Sequence, residues 1–289
     1  MSAAWWLGLL LAVLRLSVPY VMAALGGTVC ERAGVINIAL EGFLLISALG
    51  TALGAAHGAM AAVACGLLAG LVFAALYALS VVVWRGDQIV SGVALFMLAD
   101  GLSRVLLKAV YGSTSNSPRL AVLDGHGPAL FLLAAVFLIA MLHLWLYYSV
   151  LGLRLRAVGE RPQAARALGV SVLSVRVIAV LLSGLLTSIG GVYLVFEQRQ
   201  FVALMSGGRG FLALAAMIFG GWRPLPAAAA AVLFAAAEAL GIKLQASNLQ
   251  VPNFLLQALP YVLTLLALLV RGVLRGASQA PAALGQPRD

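Results

Sequence analysis

The sequence predicts an all-α protein, a polytopic integral membrane helical bundle of about 8–10 transmembrane helices. Of the 289 residues, 63% are hydrophobic and 9% are charged, and the mean hydropathy is +1.08. Soluble domains are about 45–50% apolar and about 25% charged. A membrane crossing takes about 20 apolar residues, which sets the expected helix count. This composition excludes a soluble enzyme, a disordered chain and a disulfide scaffold.

Apolar stretches of membrane-spanning character follow one another along the chain. They lie at 5–25, 42–57, 59–84, 88–108, 128–150, 174–196, 208–222, 225–243 and 253–270. We expect one transmembrane domain over 1–276 and a short flexible cytoplasmic tail at 277–289. Gly50, Gly54 and Gly58 form GxxxG spacings, which we assign to close helix packing.

The charges are unevenly distributed. Lys and Arg number 18 against 9 Asp and Glu, a formal charge of +9. The densest positive run is Arg154, Arg156, Arg161 and Arg166 in the loop 151–173, which predicts a cytoplasmic loop beside anionic lipid. Successive spans connect opposite sides of the membrane, so residues 109–127, one span before this loop, are expected on the extracytoplasmic side. Because the basic residues lie between apolar spans, we expect them to contact membrane lipid, and we expect no nucleic acid as a partner.

Cysteine and histidine give no sign of a metal site or a disulfide. Cys30 and Cys65 lie in or beside apolar stretches without CxxC spacing. His57, His126 and His143 are scattered and lack ligand spacing. No arrangement of a nucleophile with a base is apparent either, so we predict no enzymatic chemistry on this chain.

Residues 26–42 place polar groups between two apolar runs. Glu31, Asn37 and Glu41 stand in a glycine-rich setting. A charge at membrane depth costs about 2.5–3.5 kcal/mol on insertion scales, and non-helical backbone survives there only inside protein or beside a water-filled cavity. One interpretation is a broken helix that lines a translocation path; the other is an aqueous loop at the lipid interface.

Residues 151–170 predict a short basic helix. Pro162 fits its first turn, where a missing N–H is harmless, and Gly169 fits its C-terminal cap. Such a helix on the cytoplasmic surface is either a docking element for another subunit or a basic loop that only orients the protein.

Four segments, in order, resemble the permease subunits of ABC importers. They read ERAGVINIALEG, RGDQIVSG, GLRLRAVGERPQAARALGV and GGRGFLALAAMIFGGWRP, and they run across residues 26–224. The chain is most similar to the ribose/branched-chain amino acid permease family, within it the nucleoside or simple-sugar type. The sequence departs from the family pattern at Arg161, where Asn is frequent, and at Leu95–Phe96–Met97, where an Asn is common.

The resemblance implies half of a translocation pathway for a nucleoside or simple sugar, in the bacterial cytoplasmic membrane. The implied partners are an ABC ATPase, a second permease subunit as homo- or heterodimer, an extracytoplasmic substrate-binding protein and the small-molecule substrate. It also implies a cytoplasmic coupling helix that docks on the ATPase. The residues that map to it are Gly159, Glu160, Arg161, Pro162, Ala164, Ala165 and Gly169.

ATP and Mg²⁺ are expected on the partner chain, with no cofactor bound by this one. A Walker A motif ends in GK[ST]. The only lysines are Lys108, followed by Ala109, and Lys243, followed by Leu244. This chain therefore lacks a Walker A motif, and an ATP-driven process needs a separate ATPase.

Candidate residues for the translocation path are Glu31, Asn37, Glu41 and Phe211. Phe211 could stack on a base or sugar, although aromatic residues in membrane bundles are usually core or interfacial residues.

Acidic residues within the apolar spans leave a second function open. Asp100, Arg104 and Lys108 share one helix face, as a neutralising ion pair or as a substrate contact. The alternative function is an ion-coupled secondary transporter of a small polar solute, for which Glu41, Asp100 and Glu238 are the candidate coupling residues.

Overall fold

The computed structural model describes residues 3–123, 129–246 and 280–286, with a few isolated positions between 258 and 269. Within these residues the chain is a bundle of α helices without strands, which confirms the predicted fold class. The helices are α1 (Ala3–Arg32), α2 (Leu40–Gly54), α3 (Ala59–Ala78), α4 (Gln88–Tyr111), α5 (Ala129–Tyr148), α6 (Val150–Glu160), α7 (Pro162–Ala167), α8 (Val172–Gln198), α9 (Arg209–Phe219) and α10 (Pro224–Gln245).

Seven of the described helices are long and apolar enough to cross a membrane. They are α1, α4, α5, α8 and α10, together with α2 extended by the turn to His57 and α3 extended by the turn to Val83. The predicted stretch 253–270 lies almost wholly outside the described residues.

The stretch 208–222 forms a shorter helix than predicted. At about 1.5 Å per residue, the 11 residues of α9 cover about 16 Å, roughly half of a hydrocarbon core about 30 Å thick. The non-helical segment 199–208 leads into it from the end of α8.

The middle of the bundle is α2, in which every residue except Leu53 is buried. Helices α3 and α4 both pack against α2, and α8 packs against α1, α2 and α3. In contrast, α5 lies at the periphery, where only Ala135, Leu142 and Leu146 of its residues are buried.

Glycine lets the central helices approach closely. A Cβ on Gly50 of α2 would lie 2.7 Å from the Cys65 carbonyl oxygen of α3. A Cβ on Gly54 would lie 2.7 Å from the Ala61 carbonyl oxygen. These contacts confirm the packing role of Gly50 and Gly54. Gly58 does not share it, because a Cβ there would meet nothing within 4 Å and the residue instead turns the chain into α3 with φ +108°.

The bundle has two distinct ends. At the end that carries α7, Arg32 of α1 forms an ion pair with Glu160 of α6 at 3.7 Å, and Ala283 donates its backbone N–H to the Gly159 carbonyl at 2.9 Å. At the opposite end, the α4–α5 connection pairs with the residues after α8 through an antiparallel bridge between Asn116 and Val202. We call these the α7 end and the opposite end.

Candidate functional site

A break in the helical path separates α1 from α2. Residues 33–39 are non-helical, yet they are buried or half-buried, so this is a break inside the protein and not an exposed aqueous loop. Gly34 turns the chain with φ +84°, a backbone conformation that favours glycine. The freed backbone groups find partners: Ile36 donates its N–H to Gln88 Oε1 at 2.7 Å and its carbonyl accepts from the Tyr77 hydroxyl at 2.7 Å.

Glu31 and Arg32 tie the end of α1 to the turn between α9 and α10. Glu31 is buried, and its Oε2 accepts a hydrogen bond from Trp222 Nε1 at 2.7 Å. Arg32 donates from Nε to the Trp222 carbonyl at 2.7 Å. The two side chains thus fix the turn at Trp222, where φ is +54°.

Asn37 and Glu41 hold the other side of the break. Asn37 donates from Nδ2 to Ser183 Oγ of α8 at 2.8 Å, and its Oδ1 accepts the N–H of Ala39 at 3.1 Å. Glu41 accepts from the backbone N–H of Gly208 at 2.7 Å and of Gly210 at 2.6 Å. A carboxylate against these N–H groups complements the dipole at the start of α9.

The structure therefore brings three of the predicted path residues together along the break. Glu31, Asn37 and Glu41 are each buried, and their polar atoms are engaged by the protein. Phe211 differs, because 40% of it is exposed. It packs edge-on against Phe96 of α4, with ring centroids 5.7 Å apart. Their role in lining a path stays a prediction.

A charged network lies beside the start of α9, and the sequence analysis does not predict it. Arg209 binds Glu238 of α10 through Nη2 and Oε1 at 2.5 Å, and the Tyr20 hydroxyl donates to Glu238 Oε2 at 2.8 Å. The sequence does offer a signal for this pair: Arg209 and Glu238 are opposite charges in two successive apolar stretches, 208–222 and 225–243. Lys243 is closer to Glu238 in sequence than Arg209 is, but it donates to the Trp5 carbonyl instead.

The predicted short helix forms as α7, whereas α6 (Val150–Glu160) is helical where the sequence predicts a loop. Helix α7 begins at Pro162, and Gly169 follows it with φ +80°, so the predicted start and cap are confirmed. Of the predicted coupling residues, Ala165 is buried against Val158 and Val172. Gly159 is also buried, whereas Glu160, Arg161, Ala164 and Gly169 are exposed and Pro162 is half-buried.

The α7 end connects the coupling residues to the break. Gly159 of α6 packs against the Arg32 carbonyl so closely that a Cβ there would overlap it. Arg176 of α8 donates to the Ala33 carbonyl at 3.3 Å. Helices α6 and α8 are therefore both in direct contact with the residues at the end of α1.

The described residues hold no cluster of three or more metal-ligating side chains. Both cysteines are free thiols, with Cys30 buried and Cys65 exposed.

Comparison with known proteins identifies this architecture. Residues 9–270 match the family described as the permease component of the branched-chain amino acid transport system. The chain belongs to this family. It is the membrane-spanning permease subunit of an ABC importer, a multi-pass protein of the bacterial inner membrane. It is not an enzyme, and ATP hydrolysis lies on a partner chain.

Three relatives match the permease over most of their length. It is 36% identical to the guanosine ABC transporter permease protein NupQ of Bacillus subtilis, over 96% of this chain and 94% of the relative. It is 33% identical to the nucleoside ABC transporter permease protein NupC of Lactococcus lactis, over 87% and 88%. A putative glucose ABC transporter permease protein of Haloferax volcanii, TsgC13, is 32% identical over 85% and 80%.

No solved structure matches the permease. The family membership implies an ATPase and a substrate-binding protein as partners in general terms. It also favours the importer over the ion-coupled secondary transporter.

Proposed function

We propose that this permease carries nucleosides across the membrane, as half of the pathway of an ATP-driven importer. The observation that carries this proposal is the 36% identity with the guanosine permease over 96% of the chain. The half-exposed aromatic pair Phe96 and Phe211 supports it, because aromatic rings bind the faces of nucleobases.

The α7 end faces the cytoplasm in this proposal. Cytoplasmic segments carry an excess of Arg and Lys, and arginines gather at this end. They are Arg32, Arg85, Arg154, Arg156, Arg161, Arg166, Arg176 and Arg223. A substrate-binding protein would then deliver its nucleoside at the opposite end.

Helix α7 docks on the ATPase and passes its movement to the break between α1 and α2. It suits docking, because of its six residues only Ala165 is buried and Leu168 beside it is 85% exposed. It suits transmission, because α6 rests on the end of α1 at Gly159. ATP-driven closure would shift the bundle between outward- and inward-open states, an equilibrium set by differential binding. A second permease copy or paralogue supplies the other half of the pathway.

Uptake of labelled guanosine tests the substrate. Cells without their own nucleoside uptake are supplied with the permease, its ATPase and its binding protein, and guanosine and glucose are compared. We expect ATP-dependent guanosine accumulation and none of glucose. Glucose accumulation without guanosine accumulation would overturn the substrate assignment.

Leu168→Asp tests the docking role in the same cells. A buried aspartate in the ATPase interface would break the docking, so we expect at least a tenfold loss of guanosine uptake and loss of the ATPase from the purified complex. The matched control is Val122→Asp, an exposed apolar residue of the opposite end, which keeps the ATPase bound. Equal ATPase recovery from both variants would contradict docking through α7.

A further inference from the structure

Helix α4 carries an ion pair on a face that no described element covers. Arg104 binds Asp100 through Nε, 3.2 Å from each carboxylate oxygen. The side chains are 47% and 27% exposed. Within the described residues, the terminal nitrogens of Arg104 have no hydrogen-bond partner. The neutralising pair predicted from the sequence exists, and it points outwards.

The depth of this pair argues against contact with lipid. At about 1.5 Å per residue, Asp100 lies about 18 Å from the start of the 24-residue α4, near its middle. Ionised side chains at the bilayer centre are costly and usually face a bundle interior or a water-filled cavity. Pairing lowers that cost, but in hydrocarbon the two terminal nitrogens of Arg104 would have no partner among the described residues.

Helix α5 shows what a lipid-facing surface of this protein looks like. Its sequence contains no Asp, Glu, Lys or Arg. Its exposed side chains are apolar, with Leu133 68% and Phe137 65% exposed. The exposed face of α4 differs, because it carries a charged pair. Asp100 and Arg104 lie on the same face as Met97, which is 67% exposed.

The charged face leads to the aromatic pair. Phe96 precedes Asp100 by four residues and so lies on the same stripe, about 6 Å further from the opposite end. Phe96 contacts Phe211, and Gly42, next to Glu41, packs against the backbone of Phe96, where a Cβ would lie 3.1 Å from its Cα. The stripe thus runs from the opposite end to the break between α1 and α2.

We propose that this face of α4, with Phe211 of α9, is the wall of the substrate pathway, and that Asp100 and Arg104 bind the hydroxyl groups of the passing solute. The two carboxylate oxygens of Asp100 can accept hydrogen bonds from vicinal hydroxyls, and the guanidinium of Arg104 can donate to a hydroxyl or ring oxygen. The aromatic pair, one helical turn away, takes the base. The assignment of ribose and base rests on the proposed function; the assignment of the wall does not.

Thiol labelling tests the wall. The importer complex carrying Cys65→Ala, which removes the exposed native thiol, receives either Met97→Cys or Phe137→Cys. The two positions are equally exposed and both near mid-helix. A charged methanethiosulfonate reagent reacts with a thiolate in water, so we expect Met97→Cys to label at least tenfold faster. Equal rates, or an unlabelled Met97→Cys that forms a disulfide-linked permease dimer, would overturn the proposal.

Substrate discrimination tests the hydroxyl contact. The ratio of guanosine uptake to 2′,3′-dideoxyguanosine uptake is expected to fall about tenfold in Asp100→Asn, because the dideoxy compound lacks the vicinal hydroxyls. A purely structural role of Asp100 would lower both rates together and leave the ratio unchanged, which would overturn the contact. If the wild-type importer carries neither compound, the nucleoside proposal fails, while the labelling still decides whether α4 lines the pathway.

Discussion

Single carboxylates hold the broken helix of this permease in place. Glu41 is 2% exposed and binds two backbone N–H groups at the start of α9. Glu31 binds the indole of Trp222 beyond the end of the same helix. Both ends of α9 are therefore held by residues that flank the break.

Glu41→Gln is predicted to destabilise the protein. The amide supplies one acceptor oxygen and turns its NH₂ group towards a backbone donor, and a buried donor left without a partner costs about 1–3 kcal/mol. The midpoint of thermal unfolding in detergent should fall. The control is Glu160→Gln, whose side chain is 49% exposed, where a surface pair contributes about 0–1 kcal/mol.

The same variant separates two roles of Glu41. Loss of stability indicates that it positions α9. An unchanged unfolding midpoint combined with lost uptake would contradict that role and indicate a carboxylate that contacts the substrate.

Helix contacts in this bundle depend on glycines, which have no side chain, as well as on apolar side chains. Gly191 of α8 packs on the Leu44 carbonyl of α2, and a Cβ there would overlap it. Gly184 of α8 packs against the side-chain Cβ of Ala74 of α3, which a Cβ on Gly184 would also overlap. Small residues that let backbones approach are the usual basis of helix association in membranes.

Gly191→Ala is predicted to lower the unfolding midpoint, because a backbone carbonyl cannot move away as a flexible side chain can. Strain of this kind in a packed core costs about 1–3 kcal/mol. The matched control is Gly101→Ala on α4, where a Cβ meets nothing within 4 Å and the helix gains about 0.5–1 kcal/mol. Similar midpoints for the two variants would contradict the close approach of α8 and α2.

At the scale of the whole molecule, the chain closes on itself at the α7 end. Ala283 is buried and donates to the Gly159 carbonyl at 2.9 Å. Gly285 donates to the Gly34 carbonyl at 3.4 Å. The segment 280–286 therefore links the end of α6 to the break between α1 and α2.

Removal of residues 280–289 is predicted to lower the unfolding midpoint in detergent. It deletes the two backbone hydrogen bonds, each contributing about 0.5–1.5 kcal/mol, and it uncovers Gly159. Removal of 287–289 alone keeps these contacts and serves as the control. If both truncations unfold at the same temperature, the segment does not stabilise this end.

Local signals were sufficient for much of the fold. Runs of apolar residues predicted the long helices, because a membrane-spanning segment must satisfy its own backbone hydrogen bonds whatever surrounds it. Pro162 and Gly169 predicted α7, because caps act within one turn. The apolar content of 208–222 did not reveal that α9 is only 11 residues long.

The sequence by itself determined the class of the protein, most of its helical spans and the short helix α7, since composition, hydrophobic length and capping are properties of neighbouring residues. Only the tertiary structure decided the partners of the buried charges. Glu31 meets Trp222, Glu41 meets Gly208 and Gly210, and Glu238 meets Arg209. These contacts join residues far apart in the chain. A buried charge must find a partner, but which partner it finds depends on how the helices pack.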